Sequence, residues 1–510
     1  MEDTEKKRKE MQDRLDAQKS QKERNIMGQF STPYPLALDI MRYMRNIVGK
    51  DNVSLLEPSI GTGVFYSTFT ETFKGDNYAL GFEIDPHYCN PTKVFWRNTT
   101  LNIRCADFLT QQPDYQFDML VSNPPYVRHH HLPNESKIWL QNEVKRKTGI
   151  NISGLAGLYC YFMMLSSDWL KEDALSCWLV PSEFMDVNYG VAVKKYLAQN
   201  VQLVRIHRFN ANDLQFADAL VSSCIVVFRN RRPSANQEVE LSIGGTINNP
   251  ENTKRIKISD IKAESKWTNL FTENHQIFES AKTVLGDFFT VKRGIATGDN
   301  SFFIIDKETI DRYDIPKQFV RPILPSPRYI KGDRIKNVDG LPSVERQEFL
   351  FCCNLPESIL KEQYPKVWDY VRLGYERGVN NGYICSRRTP WYSCEEREPA
   401  AIVVPYMGRS DSKNKVFRFI LNTTNAVTTN VYLLLYPKPQ YAECLNNENT
   451  LAEVWRELNE IPTEAISRNG RFYGGGLRKM EPSELMRTPA DRIAPLMISR
   501  MAYQQLSLFE

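Results

Sequence analysis

The stretch LLEPSIGTGVF, residues 55–65, decides the fold class of this chain. Apolar residues typical of a buried strand run into Glu57, and Gly61 and Gly63 follow before a helical pattern begins. A strand, a glycine-containing turn and a helix in this order indicate an open α/β sheet, in which the glycines let a ligand approach the main chain. Neither a dinucleotide-binding GxGxxG nor a phosphate-binding GK[ST] pattern is completed. The loop therefore suits a nucleoside without a pyrophosphate.

The same rhythm continues on both sides of this stretch. Short apolar runs alternate with helical segments, such as those predicted at 157–171 and 188–200, which is typical of a parallel, doubly wound sheet. The domain should end near Arg229. Seven strands are predicted, at 53–57, 78–83, 102–107, 117–122, 175–181, 201–209 and 220–228.

Three further segments surround this sheet domain, which spans 28–230. The first 24 residues carry eight basic and seven acidic side chains and little that is apolar beyond Met11 and Leu15, so a solvated helical arm is predicted over 1–27. A polar stretch after Arg229 predicts a linker over 231–284. The remainder, 285–510, is punctuated by Gly, Pro and Asn, which predicts a separate mixed α/β or β-rich domain.

The composition of the chain limits the kinds of protein that it can be. With 510 residues, 42% of them hydrophobic and 25% charged, the chain can bury large cores in two or three domains. A net charge of +4 is too small to identify a partner. The ten cysteines include no CxxC pair, and the chain shows neither an apolar leader nor an apolar run of membrane-spanning length. These features predict reduced thiols, a cytoplasmic location and no membrane contact.

Acidic side chains follow the second and third predicted strands. Glu83, in GFEIDP, lies about 20 residues beyond the glycines, where a carboxylate can accept both hydroxyls of a ribose. Asp107 and Phe108, in CADFL, can accept an adenine amino group and cover its ring. Either acid alone could be a helix N-cap or a surface charge. Their shared position at the carboxyl edge of the sheet predicts a nucleoside pocket.

The fourth predicted strand ends in SNPPYVR, residues 122–128. Two prolines keep the main chain extended, so the Asn123 side-chain oxygen and the Pro124 carbonyl can both point outward as acceptors. Two acceptors can hold one amino group and draw its nitrogen towards a tetrahedral shape, which frees the lone pair to attack. Tyr126 is positioned to stack on a planar substrate. A strand-terminating proline turn is the structural alternative.

These motifs, in this order, resemble those of the gamma-class adenine-specific DNA methyltransferases of bacterial restriction–modification systems, including the Eco57I-like methylases. The resemblance implies a Rossmann-like S-adenosylmethionine-dependent methyltransferase domain followed by a DNA target-recognition domain. Asn123, Pro124, Pro125 and Tyr126 would then hold a flipped adenine for methylation of its exocyclic amino group. The segments that carry the resemblance are GQFSTP (28–33), LEPSIGTG, FEIDP, ADFL and SNPPYV.

The resemblance also assigns the donor and DNA contacts. Thr32 and Pro33 would close over S-adenosylmethionine, and Phe216 would pack on the opposite side of the adenine. The methionine end of the donor would contact Glu57, Gly61 and Gly63. The ribose would contact Glu83, and the adenine of the donor would contact Asp107 and Phe108. In the second half of the chain, basic residues beside glycines and aromatic residues suit contact with phosphates and bases: Lys292, Arg293, Arg387, Arg388, Arg471, Arg478 and Lys479.

Several alternatives stay open. Asn-Pro-Pro-Tyr also occurs in methyltransferases that act on protein glutamine or RNA guanine. The arm at 1–27 and the histidines of VRHHHLP could contact DNA, and these histidines lack the neighbouring ligands of a metal site, so no metal is predicted. Double-stranded DNA is the expected partner, with a cognate restriction endonuclease acting separately. The sequence does not determine the oligomeric state or the recognition sequence.

Overall fold

The computed structural model describes residues 2–210, 213, 215, 222–271, 282–409, 417–467, 470–473 and 477–498. The chain divides into two compact units, Met1–Asn274 with Phe472–Gly476, and His275–Arg471 with Leu477–Glu510. No helix within the described ranges is long and apolar enough to cross a bilayer.

A nine-stranded mixed sheet forms the centre of the first unit. Its order is β3-β2-β1-β4-β5-β7-β6-β8-β9, and β1 pairs in parallel with β2 and β4, whereas β7 is antiparallel to both of its neighbours. The strands are β1 (Ser54–Glu57), β2 (Tyr78–Phe82), β3 (Leu101–Arg104), β4 (Phe117–Ser122), β5 (Leu170–Pro181), β6 (Gln202–Arg208), β7 (Ser223–Arg229), β8 (Glu238–Gly245) and β9 (Pro250–Lys257).

Helices cover both faces of this sheet. Leu55 lies in the core beneath α3 and α4, and the next residue, Leu56, lies in the opposite core with α7 and α8, as the alternation of side chains along a strand requires. The helices are α1 (Glu2–Ala17), α2 (Gln21–Met27), α3 (Tyr34–Val48), α4 (Val64–Thr72), α5 (Pro86–Phe95), α6 (Asn134–Thr148), α7 (Leu158–Leu165) and α8 (Val191–Gln199).

The sequence of α3 accounts for its extent and its packing. The helix follows Pro33, carries a second proline in its first turn, and ends at Gly49, whose φ of 70° is a left-handed conformation that favours glycine. Its buried residues follow helical spacing, so one stripe faces the sheet. These residues are Ala37, Ile40, Met41 and Met44.

The structure of this unit differs from several of the sequence predictions. The segment 231–284, predicted to be a linker, contributes β8 and β9 to the sheet. The helix predicted at 157–171 ends at Leu165, and a 3₁₀ turn at Ser167–Trp169 connects it to β5, which begins at Leu170. Cys89 and Cys105, predicted to be reduced, form a disulfide with their Cα atoms 5.7 Å apart.

The second unit contains several small sheets, in agreement with the mixed α/β or β-rich prediction. A five-stranded sheet has the order β10-β21-β17-β19-β13, and a four-stranded sheet the order β11-β16-β12-β20; β14 pairs with β15, and β18-β23-β22 form a three-stranded sheet. The strands are β10 (Phe289–Arg293), β11 (Ile304–Ile305), β12 (Val320–Leu324), β13 (Arg334–Ile335), β14 (Asn337–Val338), β15 (Leu341–Pro342), β16 (Glu348–Phe351), β17 (Ile402–Pro405), β18 (Met407–Arg409), β19 (Ile420–Asn422), β20 (Val427–Thr428), β21 (Tyr432–Pro437), β22 (Arg471–Tyr473) and β23 (Leu477–Lys479).

Short helices surround these sheets, and separate apolar cores support them. One core packs α15 against β10, β17 and β21, and another packs α12 and α13 against β12 and β16. The helices are α9 (Leu285–Phe288), α10 (Asn300–Phe303), α11 (Lys307–Arg312), α12 (Glu357–Gln363), α13 (Pro365–Glu376), α14 (Pro439–Asn446), α15 (Glu448–Asn459), α16 (Thr463–Ser467) and α17 (Pro482–Leu485).

Candidate active site

A cavity of about 550 Å³ opens at the carboxyl ends of β1, β2 and β4. This edge is where open α/β sheets bind ligands, and the volume suits a small molecule. Most of the residues predicted to contact a nucleoside donor line the cavity together. They are Thr32, Glu57, Gly61, Glu83, Asp107 and Phe108, with Asn123 and Pro125 from the segment after β4.

The two glycines after β1 have different structural roles. Gly61 lines the cavity with a φ of 55°, and a Cβ added there would meet no atom within 4 Å. Gly63 has a φ of 84° and does not line the cavity; a Cβ there would lie 2.7 Å from the Trp96 Nε1 atom. Gly63 therefore permits close packing against Trp96. Because it does not line the cavity, the structure does not support its predicted contact with the methionine end of the donor.

This difference predicts unequal effects on stability. Gly61→Ala should lower the free energy of unfolding by about 1–2 kcal/mol through backbone strain alone. Gly63→Ala should lower it by about 3 kcal/mol, because the new methyl group must also displace a buried indole. Urea denaturation followed by circular dichroism measures both values. Equal destabilisation of the two variants would contradict the packing role of Gly63.

Glu57 ends β1 as a fully buried carboxylate at the cavity wall. One of its oxygens, Oε2, has no hydrogen-bond partner among the described residues. Burial raises the pKa of the Glu57 carboxyl well above its ordinary value, whereas the Arg8 charge and the Tyr66 main-chain N–H lower it. A buried acceptor without a partner is costly unless a ligand satisfies it.

Glu83 is fixed beside the glycine turn by two main-chain donors. Gly61 N–H donates to Oε2 at 3.0 Å and Asp85 N–H donates to Oε1 at 2.9 Å. Burial raises the pKa of the Glu83 carboxyl to about 7. The carboxylate is thus held in one orientation, with its remaining lone pairs available at the cavity.

Asp107 and Phe108 form the next part of the wall. Asp107 caps a short 3₁₀ turn by accepting the Leu109 N–H at 3.0 Å, and desolvation raises the pKa of its carboxyl. Phe108 is buried and stacks on Phe162 with ring centres 5.6 Å apart. The N-cap alternative considered for Asp107 is therefore realised, and the same residue also lines the cavity.

The segment 28–33 orients the Asn123 side chain. The Asn123 Nδ2 group donates to the Phe30 carbonyl at 2.9 Å and to the Thr32 hydroxyl at 3.0 Å. Both amide hydrogens are thereby used, and Oδ1 is buried without a partner among the described residues. Because the amide cannot rotate without losing two hydrogen bonds, its unpaired oxygen is held in one orientation in a residue that lines the cavity.

Gly28 makes this docking possible. Its φ of 64° favours glycine, and a Cβ there would lie 2.4 Å from the Tyr126 nitrogen. The Tyr126 N–H also donates to the Gly28 carbonyl at 3.1 Å. The two segments are thus joined along their main chains. Pro33, predicted to touch the donor, instead precedes α3 and does not line the cavity.

Tyr126 does not occupy the predicted stacking position. Its side chain is 8% exposed, its hydroxyl donates to the Leu179 carbonyl at 3.1 Å, and its ring lies 5.5 Å from that of Phe30. Burial raises the pKa of the Tyr126 hydroxyl. Of the prolines, Pro125 lines the cavity and Pro124 does not. The proposed second acceptor, the Pro124 carbonyl, is therefore not part of the described cavity wall.

Sequence reasoning missed the contribution of α1. Gln12 and Asp16 line the cavity, and Arg8 is only 1% exposed, so the predicted solvated arm is instead packed on the sheet domain. The signal was available: Arg8, Met11, Gln12 and Leu15 follow helical spacing and lie on one face. The many charged residues on the other faces of α1 made the segment resemble a solvated helix.

Two family descriptions match successive parts of the chain. Residues 66–215 match "Eco57I restriction-modification methylase". Residues 264–506 match "Type II methyltransferase M.Eco57I, C-terminal domain". The chain belongs to the Eco57I-like restriction-modification methylase family.

Individual relatives agree with this assignment over most of the methylase chain. Type II methyltransferase M.AccI of Acinetobacter calcoaceticus is 25% identical over 475 residues, with 91% of this chain and 85% of that protein covered. M.XamI of Xanthomonas campestris pv. amaranthicola is 24% identical over 472 residues, covering 90% and 84%. The chain is therefore similar to type II methyltransferases along most of its length, and not only at the methylase motifs.

A solved structure agrees with the fold. The type IIL restriction-modification enzyme MmeI, solved in complex with DNA, aligns with a TM-score of 0.59 at 11% identity and covers 97% of this chain and 78% of that chain. The predicted fold class is confirmed: a Rossmann-like methyltransferase domain is followed by a mixed α/β region.

The basic residues predicted to contact DNA have different environments in the methylase. Arg388 is held inside the second unit by three main-chain carbonyls, those of Ala296, Thr297 and Ser393, at 2.5–2.9 Å. Arg293 donates to the Asn430 carbonyl at 3.1 Å and lies 4.0 Å from the centre of the Tyr406 ring. The three carbonyls give Arg388 a role in stabilising the fold, whereas the assignment of Arg293 as a DNA contact stays a prediction.

The other predicted contacts of the methylase differ in their exposure and position. Lys292 is exposed, and Arg387 lies over the ring of Tyr383, which is 75% exposed. Arg478 and Lys479 lie in β23, paired with β18. Arg471 is the first residue of β22. Phe216 lies outside the described residues.

The histidines that follow the Asn-Pro-Pro-Tyr segment form an exposed 3₁₀ turn, His129–His131. In the part of the chain that the structure describes, no group of three or more His, Cys, Asp or Glu side chains is arranged to hold a metal ion. The turn precedes α6, whose residues Glu135, Ser136 and Trp139 line the cavity of the methylase.

Proposed function

We propose that this methylase is a site-specific DNA adenine methyltransferase of a restriction–modification system. It transfers a methyl group from S-adenosylmethionine to the exocyclic amino group of an adenine flipped out of duplex DNA. The observation that carries the proposal is the fixed, unpaired Oδ1 atom of Asn123 at the cavity.

The Asn123 amide supports transfer to an amine in particular. Because its Nδ2 group is occupied by Phe30 and Thr32, only the oxygen faces a substrate, and an oxygen accepts hydrogen bonds but does not donate them. A substrate amino group has hydrogens to donate, whereas a carbonyl or ring nitrogen acceptor does not. Adenine, rather than another amine-bearing base, follows from the resemblance to the adenine-specific methyltransferases.

The cavity fits the proposed donor by its chemistry. Glu57 and Gln29 each contribute a buried side-chain oxygen without a partner among the described residues. We assign Glu57 to the donor ammonium, Glu83 to the ribose hydroxyls, and Asp107 with Phe108 to the adenine. When bound, S-adenosylmethionine supplies a methyl group on a positively charged sulfur, which is a good leaving group.

In the proposed reaction the adenine amino nitrogen forms a bond to the methyl carbon as the carbon–sulfur bond breaks. Asn123 accepts an N–H of the amino group and stabilises the positive charge that develops on the nitrogen. The extra proton then leaves to solvent. Flipping the base out of the stack costs a few kcal/mol, which contacts elsewhere on the DNA must offset.

We assign those contacts to the second unit. Its match to the Eco57I methylase C-terminal domain favours DNA over the alternative substrates, protein glutamine and RNA guanine. Exposed Lys292 and Arg387, with the ring of Tyr383, suit phosphate and base contact. Binding should therefore weaken steeply as salt rises.

The raised pKa of Glu83 predicts how donor binding depends on pH. Ionisation strengthens the carboxylate as an acceptor, so affinity for the ribose should rise by roughly tenfold as pH increases through about 7. Methylthioadenosine isolates this effect, since it retains the ribose but lacks the ammonium that Glu57 would meet. Calorimetry at a series of pH values measures it. Glu83→Gln should flatten the profile, and an unchanged profile would contradict the ribose assignment.

Methylation mapping in a host tests the proposed function. Genomic DNA from cells that express the wild-type chain should carry N-methyladenine at one short sequence, detected by modification-sensitive sequencing. DNA from cells that express Asn123→Ala at the same level should lack it. Absence of adenine methylation with the wild-type chain, despite folded protein, would contradict the proposal.

A further inference from the structure

The N-terminal helix α1 is attached to the glycine turn of the sheet domain through a buried arginine. Arg8 Nη1 donates to the Gln12 Oε1 and Thr62 Oγ1 atoms, both at 2.6 Å. Its Nε and Nη2 atoms both donate to the Glu5 carboxylate, at 2.8 and 2.7 Å, and Glu5 also accepts the Ser67 hydroxyl at 2.6 Å. Moving α1 would break these hydrogen bonds and leave buried polar groups unpaired, which is costly. The network therefore holds α1 in one position.

A second group of contacts holds the end of α1. Asp16 accepts the Tyr88 hydroxyl at 2.7 Å and the Ser31 hydroxyl at 3.2 Å. Met11, Leu15 and Tyr88 form a small apolar core beneath the helix. The helix therefore bonds to both the 28–33 segment and α5, and its residues Gln12 and Asp16 form part of the cavity wall.

The arginine also matters for the charge of the cavity. Arg8 is the cation that counteracts the burial of Glu57, and Glu83 is the acidic group that opposes its ionisation. Thr62, bonded to Arg8, lies in the turn between β1 and α4, beside the position assigned to the donor's amino-acid end. The helix thus contributes a buried positive charge that acts electrostatically on the Glu57 carboxyl, the acceptor assigned to the ammonium.

We propose that α1 completes the donor pocket, with Arg8 as a positioning residue that holds the wall formed by Gln12 and Thr62. The inference rests on the proposed function and extends it, because it assigns recognition of the donor's amino-acid end to a segment before the first methyltransferase motif. Arg8 itself does not line the cavity and acts through its neighbours.

Calorimetry with two ligands tests this role in the full-length protein. Arg8→Met should lower affinity for S-adenosylmethionine about tenfold at neutral pH and leave affinity for methylthioadenosine within about twofold. Raising the pH should restore part of the lost affinity, because Glu57 without its neighbouring cation ionises only at higher pH. Arg14→Met is the matched control, since Arg14 lies on the exposed face of the same helix.

The outcomes separate the possible explanations. Equal loss for both ligands, or unchanged affinity for both, would overturn the assignment of α1 to the amino-acid end. Failure of the wild-type chain to bind S-adenosylmethionine would overturn the proposed function instead, and this inference with it.

A second variant covers the case in which Arg8→Met does not fold. Gln12→Met removes the amide that accepts from Arg8 and Thr62 without leaving a charge unpaired, because Arg8 retains Glu5 and Thr62. S-adenosylmethionine affinity should fall severalfold, by roughly 1 kcal/mol for one lost hydrogen bond, with methylthioadenosine affinity unchanged. The same loss for both ligands would again contradict the inference.

Discussion

Replacing Asn123 with alanine should reduce the single-turnover rate of methyl transfer about 100- to 1,000-fold, the usual effect of losing one preorganised hydrogen bond in the transition state. Two hydrogen bonds hold the carboxamide in one orientation, and the variant removes its unpaired oxygen, the acceptor assigned to the amine on which charge develops. Donor affinity should stay within about twofold, because Asn123 is assigned to the substrate amine. Rapid-quench kinetics with methyl-labelled donor measures the rate.

Two other variants sharpen the test of Asn123. Asn134→Ala serves as the control, since Asn134 is exposed at the start of α6. Thr32→Val removes one of the two acceptors that fix the amide, so it should give an intermediate loss of the single-turnover rate at saturating donor. A near wild-type rate for Asn123→Ala would exclude Asn123 from catalysis.

Glu57→Gln should weaken S-adenosylmethionine binding by roughly tenfold to a hundredfold, because a charge-assisted hydrogen bond is worth about 1.5–3 kcal/mol. The buried Oε2 atom has no partner among the described residues and is the acceptor assigned to the donor ammonium. Methylthioadenosine, which lacks that ammonium, should bind the variant as tightly as the wild type. Calorimetry with both ligands measures the difference.

Glu135→Gln is the matched control for this substitution. Glu135 also lines the cavity but lies on the exposed face of α6 and is assigned no donor contact. Its loss should change neither affinity by more than about twofold. If Glu57→Gln weakened both ligands to the same extent, a general disturbance of the pocket would explain the result, and the ammonium assignment would be wrong.

The strands of the sheet were predictable because their apolar runs are short, dense and separated by turn residues. Where the prediction differed, tertiary contacts decided the outcome. β8 alternates polar and apolar residues, and β9, at the edge of the sheet, is almost entirely polar, so their sequences resemble a polar linker. In α1 the helical stripe that contains Arg8 is buried by contact with distant residues such as Thr62, which local composition does not reveal.

The candidate site was predictable to the level of residue type and sheet edge. Acidic residues at the ends of β1 and β2 converge, because parallel strands bring their carboxyl ends to one edge. Side-chain orientation was not predictable, since it depends on partners far apart in the chain. The Leu179 carbonyl draws the Tyr126 hydroxyl into the interior, and carbonyls of three other residues hold Arg388.

The central claim is that the unpaired Asn123 oxygen holds the amino group of a DNA adenine during methyl transfer. The most direct measurement incubates the purified full-length chain with methyl-labelled S-adenosylmethionine and equal amounts of duplex DNA, RNA or protein, followed by mass analysis of the digested products. We expect label on the exocyclic amino group of adenine from DNA, with none when Asn123 is replaced by alanine. Label on protein glutamine, RNA guanine or DNA cytosine, or equal labelling by the Asn123→Ala variant, would contradict this account.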